Sequence, residues 1–104
     1  MSTAEIIDLM VQELVTRFHP ERIILFGSQA REDARPDSDI DLLVVMPDDT
    51  NRRKASIDML VALAKMPMPK DVIVTTPHEI ATRGHLKATI LNVAIAEGRE
   101  IYAR

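Results

Sequence analysis

The sequence predicts an α+β domain with α/β-like alternation: a small mixed β-sheet flanked by helices. Three observations predict it. The segments read helix, strand, turn, strand, helix, strand, helix. The link from Phe26 to Asp39 is too short for a full crossover helix, which favours an antiparallel pair for the first two strands. A helix of crossover length separates the second strand from the third, which permits a parallel pair there. At 104 residues the chain is expected to form one domain, residues 1–104, with room for one core and one site and little for a separate acceptor-binding domain.

Each element has a local cause. Thr3 to Phe18 reads as a helix because Ile7, Val11, Leu14 and Phe18 share one face, with Met10 and Val15 beside them. Ser2 and Glu5 have capping-box spacing, Pro20 ends the helix, and His19 complements its dipole. Arg22 to Phe26 is a short apolar run closed by Gly27, a buried strand. Gln29 to Asp33 suits one helical turn, and Arg35 to Ser38, with Pro36, a loop. Asp39 to Met46 is the second strand. Arg52 to about Met66 is the second long helix, with Ala55, Met59, Leu60, Leu63 and Ala64 inward. Its opening charges, Arg52, Arg53 and Lys54, read as a solvated face. Pro67 and Pro69 break the chain before a third strand, Asp71 to Thr76. A short helix follows from His78 to Arg83, interrupted by Gly84. The last helix is expected over Leu86 to Glu97, with Leu86, Ile90, Val93 and Ala94 inward and Gly98 at C′. Ile101 and Tyr102 suggest an edge strand, with Tyr102 covering the core.

Composition excludes several functions. Apolar residues are 46% of the chain and aromatics 3%, so Ile, Leu, Val, Ala and Met must build the core. The absence of cysteine removes disulfides, thiolate metal sites and cysteine nucleophiles. A net charge of -3 gives no general attraction to a phosphate backbone, and so few aromatics offer no stacking platform, so nucleic acid is not the expected ligand. No apolar run reaches the roughly 20 residues of a membrane span. The opening Met-Ser-Thr-Ala-Glu lacks the basic and apolar parts of a signal peptide. A soluble cytoplasmic protein without a membrane role is expected.

Three features point to one site. Gly27-Ser28 lies where a buried strand meets a helical turn: glycine admits a ligand close to the backbone, and a helix start and a hydroxyl suit phosphate. On its own such a pair is usually a turn. Asp39-Ile40-Asp41 opens the second strand, placing two carboxylates on one face at about 7 Å. Aspartate is disfavoured in strands, and two carboxylates so placed repel each other, so a proton or a cation is needed between them. They are hard oxygen ligands suited to Mg²⁺. The plainer reading is a solvated strand entrance, with Asp37 and Ser38 as turn formers. Asp71 also begins an apolar strand, thirty residues beyond Asp41. If the second and third strands are parallel neighbours, all three aspartates meet at one end of the sheet and suit a two-metal site.

Gly27-Ser28, ten residues, then Asp39-x-Asp41 resembles the signature of the DNA polymerase β-like nucleotidyltransferase superfamily. Gly27-Ser28-Gln29-Ala30-Arg31, Asp37 to Leu42, Asp71, Glu97-Gly98-Arg99 and Tyr102 are similar to its small members, the minimal nucleotidyltransferases. Glu32 departs from the glycine frequent there, adding stiffness and negative charge near the phosphates. The resemblance covers nearly the whole chain. It implies the polymerase β-like fold and ATP or another nucleoside triphosphate as substrate. Gly27 and Ser28 would hold the β- and γ-phosphates, assisted by Arg31 unless that residue is only a solvated surface charge. Asp39 and Asp41 would bind the Mg²⁺ that carries the triphosphate. With Asp71 they would bind a second Mg²⁺ that activates the attacking hydroxyl, and Asp71 could help to deprotonate it. It further implies a HEPN-domain partner, an antitoxin role, and transfer of AMP to a tyrosine of that HEPN ribonuclease toxin. The alternatives are neutralisation of the partner by contact without catalysis, transfer to a small molecule and, more weakly, nucleic-acid extension.

Overall fold

The computed structural model describes residues 1–31, 38–86 and 89–104. The expected loop around Pro36, the end of the helical turn near Asp33, the turn-forming Asp37 and the departure at Glu32 lie outside the described residues.

Helix α1 spans Thr3–Phe18 and opens on the expected capping box. Ser2 Oγ accepts from the Glu5 N–H at 3.2 Å, and Glu5 Oε1 accepts from the Ser2 N–H at 3.2 Å, satisfying donors that a helix start leaves over. The helix closes at His19, whose φ of 53° is left-handed. There follow β1 (Arg22–Phe26), the short helix α2 (Ser28–Arg31), β2 (Ile40–Val45), α3 (Arg52–Leu63), β3 (Lys70–Thr75), α4 (Pro77–Arg83), α5 (Ile90–Glu97) and β4 (Arg99–Ala103).

One sheet has the order β3-β2-β1-β4. β1 is antiparallel to β2 and to β4, and β2 is parallel to β3, so the sheet is mixed as the loop lengths predict. Its central strands are apolar on both faces because both are covered. Ile23 and Leu25 of β1, with Leu42 and Val44 of β2, pack with Met10 and Leu14 of α1 and Met59 and Leu63 of α3. Ile24 and Phe26, with Leu43, pack on the opposite face against Leu91 and Ala94 of α5. Tyr102 lies half-buried against the first cluster, as expected.

Helix α3 ends at Leu63 rather than near Met66, and its Ala64 cap is exposed, whereas Ala55, Met59 and Leu63 face inward. Ser56 Oγ donates to the Val72 carbonyl at 3.2 Å, fastening α3 to β3. At the start of α3, Arg52 pairs with Glu79 of α4, and Lys54 Nζ pairs with Asp58 at 2.7 Å. Burial pushes the Glu79 carboxyl up, but the hydrogen bonds from buried Thr75 and from Arg52, with the charges of Arg52 and Arg83, outweigh it and hold Glu79 below the ordinary carboxylate range.

The last helix departs most from expectation. It begins at Ile90, where Thr89 Oγ1 accepts from the Asn92 N–H at 3.1 Å. Residues 87 and 88 are outside the described residues. Leu91 and Ala94 face the sheet, whereas Leu86, Ile90 and Val93, expected inward, are exposed. Apart from Asn92 and Glu97 the helix is apolar, so its pattern alone does not fix its rotation. Two anchors do. The Asn92 amide donates to the Gly84 carbonyl at 2.8 Å. Gly98 lies so close to the sheet that an added Cβ would come under 3.0 Å from the Ile24 Cγ2 and the Ala94 carbonyl oxygen. Gly98 is also extended (φ -78°, ψ 166°) rather than left-handed, so the chain passes straight from α5 into β4. Gly98→Ala should therefore cost about 2 kcal/mol of folding free energy, read from urea unfolding; a loss below a few tenths would contradict this packing.

Candidate active site

The topology brings three strand ends together. β1 finishes at Phe26, while β2 and β3 start at Ile40 and Lys70 on the same edge. Asp41 pairs with Phe26 on one side and with Asp71 on the other. Asp39 precedes β2 by one residue. The Ile40 N–H donates to the Pro69 carbonyl at 3.0 Å, joining the two aspartate-bearing segments just before their strands begin. Pro69 reads in the sequence only as a breaker, and no sequence signal announces this link.

On the other flank, Gly27 turns the chain with φ 72°, a left-handed conformation that side chains rarely adopt. A Cβ there would lie under 3.0 Å from Asp41 Oδ2. The backbone turn and the carboxylate are thus in direct apposition, and glycine is required both for the dihedral and for the space. The N–H groups of Ala30 and Arg31 donate to the Gly27 carbonyl at 3.1 and 3.2 Å, forming the single turn of α2. Gln29 Nε2 reaches the Ser38 carbonyl at 3.4 Å and ties that turn to the approach to β2, a bridge not anticipated from sequence.

Electrostatics link the members. Burial raises the Asp41 carboxyl above the ordinary carboxylate range, and the negative charges of Asp39 and Asp71 raise it further; Arg31 opposes them. Arg31 therefore lies within electrostatic reach of the acidic group. Asp41 is half-buried and held, whereas Asp39 and Asp71 are exposed at its sides. Ser28 is half-buried at the first position of α2. Among the described residues, no three His, Cys, Asp or Glu side chains already form a metal-holding group. The donor chemistry nevertheless suits a hard divalent cation: carboxylates only, one of them half-buried and raised in pKa, two exposed beside it. The opening charges of α3 are elsewhere, because α3 follows the far end of β2.

A mixed sheet with aspartates near one end, beside a left-handed glycine turn, defines a small α+β domain. Residues 7–100 match the nucleotidyltransferase domain family, and the chain belongs to it. No curated protein matches it in sequence. Among solved structures, a protein from Sulfolobus solfataricus provisionally assigned as a nucleotidyltransferase is similar over 96% of this chain and 79% of its own, with 23% identity and a TM-score of 0.67. A toxin–antitoxin structure with AMP-PNP is similar over 99% of this chain and 75% of its own, with 18% identity and a TM-score of 0.57. A mutant of the toxin–antitoxin MntA-HpeT matches 100% of this chain and 75% of its own, with 18% identity and a TM-score of 0.53. At these identities the likeness is one of fold. No helix among the described residues is long and apolar enough to cross a membrane.

Proposed function

We propose that this chain transfers AMP from ATP to a protein acceptor, a tyrosine of a HEPN ribonuclease toxin, and so acts in the cytoplasm as its antitoxin. The observation that carries the reading is the position of Asp41, paired in register with Asp71, apposed to Gly27 and repelled by Asp39. Membership of the nucleotidyltransferase family supports the transfer chemistry. Two of the structures similar in fold are toxin–antitoxin structures, one with AMP-PNP, which supports the choice of partner and nucleotide.

In this reading Asp39, Asp41 and Asp71 would hold Mg²⁺, which would supply neutralisation of triphosphate charge and acidification of the acceptor hydroxyl. Gly27 admits the β- and γ-phosphates to the backbone, Ser28 contributes a hydroxyl donor, and Arg31 adds positive charge at the same turn. The tyrosine oxygen attacks the α-phosphorus of ATP, the bond from that phosphorus to the oxygen bridging the β-phosphate breaks, pyrophosphate leaves, and Asp71, exposed beside Asp41, helps to take up the hydroxyl proton. Positioning and charge stabilisation account for the catalysis, without a covalent enzyme intermediate.

Incubation with ATP, Mg²⁺ and a HEPN-domain toxin that forms a complex with this chain should add the mass of AMP to that toxin; an unchanged mass within a formed complex would refute the transfer. Mg²⁺ with ATP should also raise the melting temperature by mass action, and Asp41→Asn should remove most of that rise. A contact-only antitoxin would instead keep neutralising its partner after Asp39 and Asp41 are both changed to asparagine.

A further inference from the structure

We propose that Gln29 is a positioning residue for the transfer reaction, an inference that rests on the function proposed above: its side-chain amide holds the backbone just ahead of Asp39 against the glycine turn. The strand does not do this. β2 begins at Ile40, so Asp39 lies outside the ladder, and it is exposed. Asp41, by contrast, is paired with Phe26 on one side and with Asp71 on the other. A Mg²⁺ ion shared by two carboxylates needs an oxygen of each at about 2.1 Å, and a residue beyond a strand end meets that tolerance only if something else fixes it.

Two hydrogen bonds flank Asp39. On its C-terminal side the Ile40 N–H donates to the Pro69 carbonyl at 3.0 Å. On its N-terminal side Gln29 Nε2 donates to the Ser38 carbonyl at 3.4 Å. The first ties Asp39 to the segment that leads into Asp71. The second ties it to the turn that carries Gly27 and Ser28. Only the second is made by a side chain, so only the second depends on which residue stands there.

The turn can transmit this hold because it is itself anchored. A helix of four residues has no stability of its own. The Ala30 and Arg31 N–H groups close it on the Gly27 carbonyl, and Ala30 packs against the core cluster shared with α1 and α3. Gln29 sits half-buried between Ser28 and Ala30, where an amide calls for a partner. Its bond to Ser38 makes the phosphate turn and the first metal-binding carboxylate one unit. At 3.4 Å the bond is long for an N–H donor and adds little to folding, so its loss should appear in the metal and nucleotide response rather than in stability.

The test is Gln29→Met, which keeps the length of the side chain and removes the amide. Loss of a group that orients a metal ligand typically costs about 10–100-fold in metal affinity or activity. The kcat for AMP transfer to the HEPN toxin should therefore fall about tenfold or more, with the KM for the toxin within about twofold of wild type. The melting temperature without metal should drop by no more than about 4 °C. Calorimetric binding of Mg²⁺ with ATP, in the absence of toxin, should weaken about tenfold. The same change in an Asp39→Asn background should weaken that binding no further, because Gln29 acts through Asp39. Equal losses in both backgrounds would mean that Gln29 touches the nucleotide itself and would overturn the proposal. So would a kcat within twofold of wild type, or a loss of activity matched by a large fall in melting temperature. If wild type binds Mg²⁺ with ATP but transfers nothing, the transfer reading falls, and the binding cycle still decides the role of Gln29. If wild type binds neither, both fall.

Discussion

Asp41→Asn is expected to lower the rate of AMP transfer by about 10³-fold or more while leaving the fold intact. Asparagine keeps the shape of the side chain, so the apposition to Gly27 and the register with Asp71 survive. What disappears is the charge that burial and two neighbouring carboxylates already make difficult to maintain. In the metal-free protein that charge is a burden, and the variant should melt no lower than wild type. With Mg²⁺ and ATP present the order should reverse, because only wild type can exchange carboxylate repulsion for metal coordination. The expected signature is thus a pair of opposite changes: activity lost, metal-free stability kept or raised. An Asp41→Asn protein with transfer within tenfold of wild type would remove Asp41 from the chemistry. A large fall in metal-free stability would show that its carboxylate is structural instead.

Much of this arrangement can be read before any coordinates are known, and the reason is local. The link from Phe26 to Asp39 favours a hairpin-like return, and α3 is long enough to permit a parallel crossover, so the lengths point to the strand directions that the sheet has. Once β2 and β3 are parallel neighbours, Asp41 and Asp71 must share an edge. The parts that could not be read depend on contacts between distant residues. The rotation of α5 is set by how closely Gly98 approaches Ile24 and by the Asn92–Gly84 hydrogen bond, contacts that the pattern of a mostly apolar helix does not specify. The Pro69 carbonyl fixes Ile40 through an atom that every residue possesses. The boundary of α3 moved because nothing in the run from Leu63 to Met66 marks an end, and Pro67 only sets a limit. The acidic group differs in kind: aspartates opening apolar strands conflict with local propensity, and such conflict makes a site visible in sequence.

The same edge yields a test of geometry that needs no substrate. Gly27→Ala should destabilise the protein by about 3 kcal/mol, a sum of two separable costs. One is the left-handed backbone at φ 72°, which costs a residue with a Cβ roughly 1–2 kcal/mol wherever it stands. The other is collision with Asp41 Oδ2, and that cost exists only while the carboxylate is there. Asp41 cannot easily yield, because its backbone is fixed between Phe26 and Asp71 and its Cγ is also within 3.3 Å of the added carbon. The two costs come apart in a double-mutant cycle. In an Asp41→Ala background the Gly27→Ala change should cost only the backbone share, about 1–2 kcal/mol, leaving a coupling of about 1–2 kcal/mol between the positions by urea unfolding. Equal costs in both backgrounds would mean that glycine is there for its dihedral alone and that the turn does not touch the carboxylate. A measured coupling would establish, in solution and without metal or nucleotide, the contact between the glycine turn and Asp41 on which the functional reading is built.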